Sequence, residues 1–95
     1  MGEQTYSDAE RQALAAVSGA PNRRAVLADV VQHGPARNMD IAERTGLKKQ
    51  RVSEALGTLT DVGATDIVTP EGTHIGRLYD ATAVGETVFG VVGDE

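Results

Sequence analysis

Lys48 and Lys49 are the only lysines in this 95-residue chain, and they stand side by side with Arg51 close behind. Between Arg44 and Ser53 there are four cationic residues and no acidic one, while the whole chain carries a net charge of −5. The cluster falls at the start of an expected helix, where the macrodipole is positive and cations are unfavourable. Helix stability therefore does not account for it, whereas an anionic partner does. Other chemistry finds little to work with. His33 and His74 are far apart in sequence, and neither has a nucleophile beside it in a recognisable pattern. The carboxylates have no motif spacing and no glycine loop is built to cradle phosphate. Without cysteine there is no thiolate nucleophile, disulfide or thiolate metal site. Neither an enzyme nor a metal or cofactor protein is expected.

Positioning such a cluster requires helices, and the periodicity supplies them. Ser7-Asp8-Ala9-Glu10 reads as a capping box, starting a helix from about Asp8 to Val17 with Ala13, Leu14 and Val17 inward and Gly19 as its stop. Pro21-Asn22 opens a second helix, in which Val26, Leu27, Val30 and Val31 recur at helical spacing until Gly34-Pro35. A short third helix is predicted from about Met39 to Arg44, capped by Asn38 or a neighbour, with Ile41 and Ala42 inward; Gly46 ends it and Leu47 tucks beneath the turn. The fourth is predicted from about Lys49 to Val62, with Val52, Ala55, Leu56 and Leu59 on one face. The period then changes. Thr65 to Thr69 reads as a strand, Pro70-Glu71-Gly72-Thr73 as a turn and Ile75 to Tyr79 as a returning strand, which makes a hairpin. Thr82 can cap a last helix through Val84, Val88, Val91 and Val92, although Gly85, Gly90 and the valines also allow a strand. The fold class expected is mainly α with a small β-hairpin, in a single domain over residues 1–95.

This order resembles a winged helix-turn-helix. Asp40-Ile41-Ala42-Glu43-Arg44-Thr45-Gly46-Leu47 is similar to that family's helix-turn sequence. Val52-Ser53, Leu56, Leu59 and Gly63 match its third motif helix. Gly76-Arg77-Leu78-Tyr79, Thr82 and Gly85 resemble the exit from the wing in MarR-, ArsR- and PadR-type regulators and their archaeal relatives. The resemblance covers residues 21–92 and implies a transcription regulator, usually a homodimeric repressor, that reads double-stranded DNA with the helix at 49–62 and a wing at 65–79. Three departures stand out. Lys48 replaces a small hydroxyl N-cap and is expected to add a phosphate contact. Gly57 lies inside a helix, where it costs about 1 kcal/mol against alanine and suits a close backbone approach. Ala64-Thr65-Asp66 replaces an apolar pair after the glycine, which leaves the start of the wing open.

On a helical wheel the exposed ridge of the reading helix is Gln50, Glu54, Gly57 and Asp61, with Ser53 beside it and Lys49 and Arg51 flanking. What the resemblance implies for these residues follows from groove chemistry. Gln50 can pair bidentately with adenine, Ser53 can take several partners, and Arg51 can bond guanine or phosphate. Glu54 can accept from a cytosine amino group or orient Arg51 one turn back. Asp61 repels phosphate, so only the first two turns are expected to insert. Arg37 and Arg44, around the preceding helix, can touch the DNA backbone. On the wing, His74 at the tip and Arg77 near the strand are candidate contacts, the alternative for Arg77 being an ion pair with Asp66 or Asp80. For Lys48, Lys49 and Arg51 the alternative is a solvated helix face, and for Gln50 and Ser53 ordinary exposed polar residues.

The expected core is residues 21–82, with the helix at 8–17 and the segment at 83–92 forming a dimer seam. A chain this short buries only about two thirds of its unfolded surface, and the apolar faces of Ala13, Leu14, Val17, Val84, Val88, Val91 and Val92 are expected to exceed what one copy can cover. Such a dimer implies a pseudo-palindromic operator. Fourteen acidic residues against nine basic, with arginine far outnumbering lysine, resemble the proteomes of extreme halophiles. The N-terminus has neither an apolar run nor a basic region, and no stretch is long enough to span a membrane, so a cytoplasmic protein is expected. The net charge, with Glu54 and Asp61 on the exposed ridge, leaves a protein-binding winged helix as a rival. An architectural DNA-binding protein with little sequence preference is another, and its phosphate-dominated binding would fade in strong salt.

Overall fold

A computed structural model describes residues 5–72 and 76–93. The order is α1 (Asp8–Val17), α2 (Pro21–His33), α3 (Asn38–Thr45), α4 (Lys49–Asp61), β1 (Thr65–Ile67), β2 (Tyr79–Ala81) and α5 (Ala83–Val92). The capping box of α1 is formed: Glu10 N–H donates to Ser7 Oγ at 3.1 Å and Ser7 N–H to Glu10 Oε1 at 2.9 Å. Pro21 opens α2 at a position whose N–H would have had no partner within the helix. Arg37, not Asn38, is the N-cap of α3, and its N–H donates to Asp40 Oδ2 at 3.3 Å. That backbone bond, seconded by the Arg37 side chain, holds the Asp40 carboxyl below its ordinary value of 3.8.

The turn from α3 to α4 is tight for local reasons. Gly46 closes α3 in the left-handed conformation at φ 77°, which favours glycine. Thr45 Oγ1 donates to Ile41 O at 2.7 Å and accepts from Leu47 N–H at 3.3 Å, so the turn is tied back onto the helix. Leu47 is half-buried beneath it. Val52, Ala55, Leu56 and Leu59 of α4 are buried against Val26, Leu27 and Val30 of α2 and Ile41 of α3. This three-helix core fixes the angle at which the opposite face of α4 meets solvent.

The hairpin pairs Thr65 with Ala81, Asp66 with Asp80 and Ile67 with Tyr79. The returning strand therefore lies later than the expected Ile75–Tyr79. Its position is set from the far end: Thr82 N–H donates to Ala64 O at 3.1 Å, and Tyr79 exchanges two 2.9 Å backbone bonds with Ala36 in the α2–α3 connection. Pairing continues past the strands through Val68 N–H to Leu78 O at 2.8 Å.

The last segment is a helix. Thr82 Oγ1 accepts from Gly85 N–H at 3.1 Å and donates to Gly63 O at 2.5 Å, which clamps the start of α5 to the end of α4. A Cβ on Gly85 would stand 2.1 Å from Ala64 O, so α5 lies directly on that backbone. Helices α1 and α5 pack on each other and on the core. Ala13, Val17, Val88 and Val92 are buried within the single chain, which removes the reason for placing those four at a seam. Leu14 and Val84 remain half-buried, and Val91 is 39% exposed. Among the described residues no helix is long and apolar enough to cross a membrane.

Candidate nucleic-acid interface

Packing Val52, Leu56 and Leu59 inward turns Lys49, Gln50, Arg51, Ser53, Glu54, Gly57 and Asp61 outward, and all of these are exposed. Lys48 is the N-cap of α4 and is exposed too, without a side-chain capping bond. No substitute for the usual hydroxyl cap is provided, so the departure at Lys48 leaves a cation in place of a helix-stabilising group.

The ion pairs divide the cations into two groups. Arg44 is exposed but engaged. Its guanidinium makes bonds of 2.9, 3.2 and 2.8 Å to Asp29 of α2, whose side chain is only 6% exposed. The four cations between Arg44 and Ser53 are thus not uncompensated, because Arg44 belongs to the α2–α3 joint. Arg51 is also paired, with Glu54 Oε1 at 3.1 Å on the exposed face, which is the one-turn contact that helical spacing allows. Arg37 approaches Asp40 at 3.4 Å. Lys48, Lys49 and Arg77, by contrast, have no ionic partner among the described residues. The ion pair weighed for Arg77 with Asp66 or Asp80 is not formed.

Ser53 is anchored as well as exposed. Asn38 Nδ2 donates to Ser53 Oγ and, at 3.1 Å, to Lys49 O, which ties the start of α3 to the first turns of α4. Ser53 keeps its hydroxyl hydrogen for an outside acceptor, but one lone pair is already engaged. Asn38 is the residue whose role sequence reading missed. Local sequence offers it only as a cap, because its partners lie 11 and 15 positions away, beyond any local pattern.

The wing closes against the same region. A cleft of about 380 Å³ separates Arg37 and Met39 at the start of α3, Ser53 of α4, and Gly76, Arg77 and Tyr79 of the wing. It brings Arg37 and Arg77 to one opening, so three of the elements expected to meet DNA do converge. His74 lies outside the described residues. A Cβ on Gly57 would meet nothing within 4 Å, so among the described residues no backbone of this chain makes the close approach. Among the described residues, no group of three or more His, Asp or Glu side chains is placed to hold a metal ion.

No protein-family model matches the chain, and no curated protein matches it. Solved structures do. A MarR family transcription regulator superposes with a TM-score of 0.75 and 20% identity, over 90% of this chain and 56% of the other. A MarR family regulator from Neisseria meningitidis gives 0.66 and 27% identity, over 77% and 51%. NadR, solved in complex with 4-hydroxyphenylacetate, gives 0.70 and 15% identity over 99% and 77%. The chain spans about half the length of the first two. Its described residues carry the winged helix-turn-helix fold seen in MarR family transcription regulators.

Proposed function

We propose that this protein is a sequence-specific, double-stranded DNA-binding transcription regulator that represses as a homodimer. The observation that carries the reading is the location of three cations with no ionic partner among the described residues. Lys48 and Lys49 stand at the exposed start of α4 and Arg77 on the wing, the two ends of the surface a winged helix lays on a duplex. In this reading α4 enters the major groove by its first two turns. Gln50 and Glu54 face base edges, and Lys48, Lys49 and Arg37 reach phosphates. Arg77, with His74, meets the backbone or a narrow minor groove. Arg44, exposed but held by Asp29, would touch the DNA backbone only from within that pair.

The dimer seam in this proposal is Leu14, Val84 and Val91, the apolar groups of α1 and α5 that one chain leaves partly uncovered. It would set two α4 helices about 34 Å apart, one DNA turn, on a pseudo-palindromic operator. The acidic composition supports a cytoplasm with strong salt, where phosphate contacts alone are weak and base contacts must contribute.

The test is retention of genomic DNA fragments by the purified protein across a salt series, beside a Lys48→Ala/Lys49→Ala variant. Selective retention of a few fragments, lost in the variant, is the expected result. Uniform retention with a steep salt slope would mean an architectural protein. Exposed Glu54 and Asp61 favour a protein-binding module as second reading, and no retention at any salt by folded protein would establish that direction instead.

A further inference from the structure

We infer that Glu54 sets sequence specificity by cancelling Arg51 on every duplex except one that offers Glu54 a cytosine amino group. The inference rests on the DNA-binding reading and deepens it.

Glu54 Oε1 holds Arg51 Nη1 at 3.1 Å, and the two side chains are 57% and 59% exposed. An exposed pair one turn apart contributes little to folding, so the fold does not call for Glu54. Its position matters more. Glu54 lies between Gln50 and Gly57 on the outward ridge of α4. Gly57 leaves open space where a side chain would stand, which lowers the ridge and lets the Glu54 carboxylate come close to a groove floor. Beside it runs a cleft of about 140 Å³ shared with Asn22, Arg23 and Thr58. Arg23 commits its Nε to Ala16 O at 2.5 Å, so that nitrogen is not free to replace Arg51 as a partner for the carboxylate.

Two outcomes follow when α4 enters a groove. On an arbitrary sequence the carboxylate keeps Arg51. The pair then carries no net charge toward the phosphates and displaces no counterion. Where a cytosine lies opposite, its N4 amino group donates to Glu54, and the freed guanidinium turns to a neighbouring phosphate or to guanine O6 and N7. Adenine also presents an amino donor, but its N7 acceptor stands beside it and repels a carboxylate. Thymine and guanine present oxygen acceptors there. Glu54 thus withholds one cation from general DNA attraction and returns it at the correct base.

The experiment compares wild type with Glu54→Gln, alone and combined with Arg51→Ala. Each is titrated on a selected genomic fragment and on a random duplex at several salt concentrations. Glutamine keeps the size of the side chain and removes its charge. Glu54→Gln is expected to bind the random duplex more tightly. Its log K against log salt should steepen by about 0.9 per protomer, which is roughly a 3.5-fold larger loss over a fourfold rise in salt. Preference for cytosine at one operator position should disappear. In the Arg51→Ala background the same substitution should leave the slope where it was. An unchanged slope and unchanged random-duplex affinity in Glu54→Gln would overturn the inference, as would a steeper slope that persists without Arg51. If wild type binds neither duplex, the DNA reading itself fails.

Discussion

The Asp29–Arg44 pair shows how one contact reassigns a residue. Arg44 sits beside the lysines in sequence and shares their charge, yet its guanidinium is held, still partly exposed, by a carboxylate with 6% exposure. His33 Nε2 lies 3.9 Å from the same carboxylate, as a weaker neighbour. Removing Arg44 leaves a buried charge without its two-pronged partner, which costs far more than losing a surface ion pair. Arg44→Ala should lower unfolding free energy by about 2–3 kcal/mol, seen as an earlier midpoint in urea. Lys48→Ala/Lys49→Ala should leave that midpoint within about 0.5 kcal/mol of wild type. A stable Arg44→Ala protein that has lost DNA binding would instead return Arg44 to the interface. Nothing in the sequence announced the pair, since its members are 15 positions apart and no local period links them. Arg51 and Glu54, one helical turn apart, were readable for the opposite reason.

At the scale of elements, Gly57 of α4 and Gly85 of α5 are opposite cases. Gly57 has empty space where a side chain would go, whereas Gly85 lies against the backbone of Ala64. Gly57→Ala should therefore stabilise the fold by about 1 kcal/mol. Gly85→Ala should destabilise it by about 1–3 kcal/mol, because the carbonyl it meets cannot rotate away as a side chain could. Thermal unfolding of both variants checks the pair, and a neutral Gly85→Ala would show that α5 can slide. Helix starts and inward faces were legible because caps and periodicity are local: Ser7, Thr82 and the Val52–Leu59 face stand where the pattern put them. The wing was legible as a hairpin but not in register. Its pairing is dictated by Thr82 meeting Ala64 and by Tyr79 meeting Ala36, contacts that depend on where α5 and the α2–α3 connection lie.

At the scale of the whole molecule, α1 and α5 complete one chain's core before they can join two chains. The sequence shows only that both helices have apolar faces, and it cannot show that those faces cover each other. What is left for a second copy is narrower, centred on Val91 with Leu14 and Val84 beside it. Light scattering after size exclusion should give twice the 10.0 kDa chain mass for wild type, and Val91→Asp should give the monomer with its helical circular dichroism intact. A monomeric wild type at micromolar concentration would remove this seam.

The register of the wing carries a further consequence. Asp66 faces Asp80 directly across the two strands, and like charges so placed oppose pairing. Dissolved ions weaken that repulsion, so the hairpin tightens as ionic strength rises. In the proposed complex the same ions would compete with Lys48, Lys49 and Arg77 for phosphate. The two trends run in opposite directions within one surface. As salt increases, the wing becomes a stiffer finger while any electrostatic grip relaxes, and the proposed hold on a duplex would pass from charge to shape.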